Sequence, residues 1–106
     1  MIVKMTEDLL NLYTLRQSRK FRDVARDPVL LNGFIRAVNI MRSVDDIEKL
    51  RAYSFLHYEK LKYEYSDYSS VRLSNRYIHR LLFKETPDGL EVTLIKIDDT
   101  HYGNKR

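Results

Sequence analysis

"YSSVRLSNRYIHRLLFKETPDGLEVTLIKI", residues 68–97, decides the fold. Aromatic and β-branched residues fill it, and turn residues interrupt it. "TPDG", residues 86–89, is a turn by its proline, aspartate and glycine. Ser74-Asn75 is a candidate for an earlier one. The stretch therefore predicts strands over 68–74, 75–85 and 89–97. Their links are too short to carry crossover helices, so the strands should form an antiparallel meander.

Upstream the hydrophobic period becomes helical. Thr6 is placed to cap a helix near 7–18, with Glu7 and Asp8 in its first turn and Leu9, Leu12, Tyr13 and Arg16 at helical spacing. Asp27-Pro28 starts a second helix near 28–43, along which Leu31, Phe34, Ile35, Val38 and Met41 make one apolar stripe. Ser43 followed by Asp46 resembles a capping box before a short helix near 45–52, which carries Ile47 and Leu50. Residues 2–5 form a short first strand or arm. The expected architecture is one α+β domain over 1–106, with the N-terminal helices packed on one face of a small antiparallel sheet. The other face of the sheet should stay open.

Composition narrows the function classes. Of 106 residues, 43% are apolar and 32% charged, which suits a folded globule rather than a disordered chain. No apolar run approaches the ~20 residues of a membrane span, so no membrane partner is expected. Glu7 and Asp8 interrupt what would be the apolar part of a secretion signal, and there is no cysteine. A cytoplasmic setting fits both. The net charge of +4 and a pI near 9.4 raise the prospect of a polyanionic partner. "RQSRKFRDVAR", residues 16–26, concentrates that charge in Arg16, Arg19, Lys20, Arg22 and Arg26 against Asp23. A solvated helix end and a nucleic-acid contact explain this run equally well.

Three sets of residues could carry chemistry. Arg72, Arg76 and Arg80 recur at even spacing in the strand region, with Lys60 and Lys62 just upstream. Converging guanidinium groups match phosphate oxygens, although exposed arginines also protect sheet edges. The histidines His57, His79 and His101 lie in separate segments without a close ligand pair, so no metal site is expected. His101 is the best general acid or base, beyond a strand end beside Asp98, Asp99 and Tyr102. His57 and His79 read as packing or surface hydrogen-bonding residues. Tyr53, Tyr58, Tyr63, Tyr65 and Tyr68 crowd together among lysines and acids. They suit base stacking, a protein interface or packing. Gly33, Gly89 and Gly103 make no phosphate-cradling loop or dinucleotide fingerprint, no serine sits in a nucleophile elbow, and no helix-turn-helix is evident.

The order of these features resembles the RelE/ParE toxin superfamily. A helical hairpin is followed by "LHYEKLKY" (56–63), "YSSVRLSNRYIHRLLF" (68–83) and a last strand ending "DDTHYG" (98–103). HigB-like and YoeB-like ribonuclease toxins are the most similar branches. The resemblance implies a RelE-like fold and a bacterial type II toxin that cuts messenger RNA, usually on the translating ribosome, until a cognate antitoxin binds it. It implies no metal and no cofactor. It assigns His57 with Lys60 or Lys62 to RNA contact before the sheet. It puts Arg72 and Arg80 at the scissile phosphate, with Arg76 competing for the role of Arg80. Asp99, His101 and Tyr102 take the acid–base end, with His101 the principal acid or base. The 16–26 run would contact ribosomal RNA. Two departures stand out: "SNRYIHRLLF" is longer than in many relatives, and Thr100 replaces an aromatic of the HigB-like chains. The alternatives are a ParE-like inhibitor of DNA gyrase and a non-catalytic module that binds RNA or protein.

Overall fold

The meander forms, and a strand from the other end of the chain extends it. The structure, a computed structural model, describes residues 1–100. Strands β1 (Ile2–Met5), β2 (Glu59–Lys60), β3 (Ser69–Arg72), β4 (Arg80–Glu85) and β5 (Glu91–Asp98) make one sheet in the order β1-β5-β4-β3-β2. β2 through β5 pair antiparallel, whereas β1 lies parallel to β5. The sheet is therefore mixed. A parallel neighbour needs a long connection, and everything between residues 6 and 90 supplies it.

Four helices precede β2: α1 (Glu7–Leu15), α2 (Arg22–Arg26), α3 (Pro28–Ser43) and α4 (Ile47–Arg51). α3 matches its predicted span. Asp27 caps it, its Oδ1 accepting from the backbone N–H of Val29 at 2.9 Å and of Leu30 at 3.3 Å. α1 stops at Leu15 rather than near 18, because Arg16 turns left-handed at φ 57° and its N–H closes on the Leu12 carbonyl. α2 was not predicted. It forms inside the basic run because Phe21 and Val24 are buried there and anchor it. The capping box does not form either. Asp46 itself caps α4, accepting from Lys49 N–H at 3.0 Å, while the Ser43 hydroxyl turns back to the Ile40 carbonyl. Among the described residues, no helix is long and apolar enough to cross a membrane.

The core lies between the helices and one face of the sheet. Leu9, Leu12, Phe34, Val38 and Met41 meet Val71, Leu81, Phe83, Val92 and Leu94 there. Gly33 allows α3 to touch backbone, since a Cβ at that position would lie 2.0 Å from the Leu73 carbonyl oxygen. A bulge in β5 keeps its register useful. Pairing jumps from Leu82↔Lys96 to Phe83↔Leu94, so Ile95 is the extra residue. Leu94 and Ile97 can then both face the core, which strict alternation would forbid.

The predicted strands over 68–74 and 75–85 are shorter than expected. Residues 73–79 form an irregular link instead of a tight turn at Ser74-Asn75. Their side chains find partners on the helices: the Tyr77 hydroxyl donates to Asp27 Oδ2 at 2.6 Å, and His79 Nε2 lies 2.9 Å from Asp23 Oδ2.

The outer face of the sheet is not fully open. Alternation places Arg80, Leu82 and Lys84 of β4 on it, with Lys96 and Asp98 of β5 and Ser70 and Arg72 of β3. Leu82 nevertheless has 0% of its surface exposed. The Tyr65 ring lies over Lys96, the cross-strand partner of Leu82, and the Tyr68 ring lies over Lys84. The segment 61–68 thus folds back and covers one half of this face. The other half carries the arginines.

Candidate functional site

A single cross-strand row organises the uncovered half. Arg72 of β3 stands opposite Arg80 of β4, which stands opposite Asp98 of β5. Like charges directly opposite each other destabilise a sheet. This sheet keeps such a pair beside two carboxylates, because Glu59 of β2 faces Ser70 in the next row.

The Arg80 guanidinium is fixed in place. Its residue is only 8% exposed. Nε donates to Ser70 Oγ at 2.7 Å, Nη2 donates to the His57 carbonyl at 2.6 Å, and Nη2 lies 3.7 Å from Glu59 Oε1. Arg72 is half-buried, and its buried Nε has no hydrogen-bond partner among the described residues. A buried donor without an acceptor costs about 1–3 kcal/mol. An oxyanion laid on the row would satisfy both guanidinium groups. Asp98, also 8% exposed, accepts from the Thr100 hydroxyl at 2.8 Å.

The other predicted residues fall in different places. Arg76 is exposed on the 73–79 link and outside the row, so Arg80 is the arginine paired with Arg72. His57 contributes its carbonyl; its side chain is exposed, and its backbone is left-handed at φ 49°. Lys60 is exposed opposite Ser69, which by alternation is the face away from the row. Lys62 is exposed at the start of the 3-10 turn Tyr63–Tyr65. Asp99 is exposed just beyond β5. His101 and Tyr102 lie outside the described residues.

Glu59, Ser70 and Asp98 were not predicted as site residues. Glu59 was legible only in part. Adjacent strand residues point to opposite faces, so Glu59 and Lys60 could not both meet the arginines. The pairing register of β2 decides that Glu59 does.

A second cluster sits at the end of β5. Asp23, His79 and Asp99 each bring a donor atom within 4.8 Å of the others, beside a cavity of about 240 Å³. Lys20 and Lys96 in the cavity lining supply counter-charge to these carboxylates, and the His79 ring nitrogen lies 2.9 Å from Asp23. The set could ligate a cation but does not require one.

No protein-family model matches this sequence, and no curated protein does. Solved structures do match, and they define an α+β toxin fold. The chain is similar to the toxin of the heterotetrameric YoeB-YefM toxin-antitoxin complex from Staphylococcus aureus, at 17% identity and TM-score 0.55 over 96% of this chain and 98% of that one. It is also similar to the YoeB/ParE toxin from Agrobacterium tumefaciens, at 17% identity and TM-score 0.54 over 95% and 100%. A further YoeB-YefM complex from Staphylococcus aureus matches at 16% identity and TM-score 0.55, over 96% and 98%. This chain has the YoeB/ParE toxin fold.

Proposed function

We propose that this chain is the toxin of a bacterial toxin–antitoxin pair and an endoribonuclease that cuts messenger RNA in the cytoplasm, on the ribosome. The observation that carries the reading is the Arg72–Arg80 row with its orphaned Nε and Glu59 3.7 Å from the Arg80 guanidinium. The fold it shares with the toxins of YoeB-YefM complexes supports a cognate antitoxin as partner.

The geometry suits transesterification by side chains. A ribose 2′-oxygen attacks phosphorus and the bond to the 5′-oxygen breaks, leaving a cyclic phosphate and a 5′-hydroxyl. Glu59 takes the 2′-proton, since it is the exposed carboxylate beside the fixed arginine. Arg72 and Arg80 hold the phosphate and stabilise the added charge of the phosphorane. His101 gives the proton to the leaving 5′-oxygen. It follows Asp98 by three residues, a chain length of at most about 11 Å. Tyr102 and Asp99 orient the substrate and this acid.

Glu59→Gln is the cleanest test, because its side chain is 55% exposed and the change keeps its shape. Induced expression should show mapped cleavage of cellular messenger RNA falling about 10²–10⁴-fold, with the melting temperature unchanged. His101→Ala should do the same. Full toxicity in both variants, accompanied by gyrase-dependent DNA damage, would select the ParE-like alternative instead.

A further inference from the structure

The carboxylate beside Arg80 stands on a thinly supported strand. β2 is an edge strand of two residues, paired as Glu59↔Ser70 and Lys60↔Ser69. The chain enters it through His57, left-handed at φ 49°. A non-glycine residue keeps that conformation where its surroundings hold it there. The Glu59 side chain is 55% exposed, so its backbone sets where the carboxylate points.

The tie that holds this segment lies on the opposite face. Glu59 points to the arginine row, so its neighbour Tyr58 points under the sheet. There the Tyr58 hydroxyl donates to Glu85 Oε2, and the buried Ser69 hydroxyl donates to the same oxygen. The two hydroxyl oxygens are 3.2 Å apart. The Tyr58 ring packs on Phe83 with centroids 6.2 Å apart, and the Arg51 guanidinium lies 5.1 Å from its centre. Burial, and then the bond to Glu85, hold the phenol above its ordinary range, so it remains a donor at neutral pH. A phenylalanine would fill the same space without a carboxylate partner. The hydroxyl adds a fixed direction that the ring alone lacks. Both chain neighbours of Tyr58 meet one group: Arg80 Nη2 donates to the His57 carbonyl at 2.6 Å and lies 3.7 Å from Glu59 Oε1.

We propose that Tyr58 is a positioning residue: tied to Glu85 and Ser69 beneath the sheet, it fixes the segment that sets the His57 carbonyl and the Glu59 carboxylate against Arg80, a role that rests on the nuclease reading of the arginine row. Without the tie, Arg80 keeps its bond to Ser70 and still grips phosphate, but Glu59 is no longer aimed. A reacting group displaced by about 1 Å costs up to about 10²-fold in rate.

Tyr58→Phe tests this, since it keeps the ring and leaves Ser69 donating to Glu85. Hydrogen exchange judges the tie without any reaction. The His57 and Leu61 amide protons, bonded to the Ser54 and Tyr68 carbonyls, should exchange about tenfold faster, and those of β4 and β5 should not change. Glu85→Gln, which removes the charge that accepts the phenol, should act in the same direction. Single-turnover cleavage of ribosome-bound messenger RNA then separates chemistry from binding. In Tyr58→Phe the rate at saturating protein should fall about 10–10²-fold, with the half-saturating concentration unchanged. Added to Glu59→Gln, Tyr58→Phe should cost nothing further, because it acts through that carboxylate. Unchanged exchange at His57 and Leu61 in both variants overturns the tie. A wild-type rate in Tyr58→Phe overturns the positioning role. So does a loss confined to the half-saturating concentration, or the same fold-loss with and without Glu59→Gln. Cleavage by wild type with unchanged exchange in the variants sinks the tie alone. Faster exchange in a protein whose wild type never cleaves RNA sinks the nuclease reading, and with it the role assigned to Tyr58.

Discussion

At the scale of single residues, the 73–79 link depends on one hydrogen bond with a clear pH signature. The Tyr77 hydroxyl on Asp27 holds that carboxyl below the usual carboxylate range; the backbone N–H groups of Leu30 and Val29 add to this, against some desolvation. The same bond pushes the Tyr77 phenol above its ordinary range, with burial contributing next. The signs follow from linkage. A lowered Asp27 contributes stability above its unfolded pKa and loses it as pH falls through the folded value. A raised Tyr77 contributes stability below its unfolded pKa and loses it as pH rises through the folded value. Tyr77→Phe should therefore destabilise the protein most at neutral pH. The gap to wild type should close in strong acid and again above the tyrosine range. Urea denaturation at neutral, acidic and alkaline pH measures it, and a gap that stays constant across pH would trace the loss to packing instead.

At the scale of elements, α3 is held to the sheet by a missing side chain. Gly33→Ala drives a methyl group into the Leu73 carbonyl, which is backbone and cannot rotate away. The expected loss is about 1–3 kcal/mol, read as a melting temperature lowered by roughly 4–8 °C per kcal/mol. An unchanged melting temperature would mean that α3 rides up at no cost and that the close approach is incidental. Gly33 also shows where sequence reading reaches its limit. α3 was legible from Asp27-Pro28 and its apolar stripe, because caps and periodicity are local. The three meander strands were legible from β-branched runs and "TPDG". The parallel placement of β1 was not, because nothing local to residues 2–5 states a partner. α2 was missed because Phe21 and Val24 sit among arginines that dominate the run. The site divides in the same way. Arg72 and Arg80 could be seen as cations at even spacing, but Arg76 competed until the 73–79 link removed it from the strand. Glu59 became visible only with the register of β2.

At the scale of the molecule, the excess charge is continuous with the site. The cavity at the end of β5 is lined by Lys20 and Phe21 from the basic run and by Lys96 and Asp98 from the outer face. The run that reads equally as a solvated helix end or an RNA contact thus abuts the sheet face carrying Arg72 and Arg80. If the toxin reading holds, RNA that occupies the row continues over Lys20 towards the exposed Arg19 and Arg22. Each phosphate neutralised on single-stranded RNA adds about 0.7 to the steepness with which log affinity falls against log salt concentration. Arg19→Gln with Arg22→Gln removes two such contacts, so the slope should flatten by about 1.4. Both side chains are exposed and outside the core, so stability should not move, and neither touches the row, so cleavage of an oligomer too short to leave the row should keep its rate. Titrating binding of a longer RNA at several salt concentrations, wild type against the double variant, measures the slope directly. An unchanged slope would confine RNA to the outer face and return the 16–26 run to a solvated helix end. A flattened slope with the short-oligomer rate preserved would make the run an extension of the RNA track, separate from the chemistry it feeds.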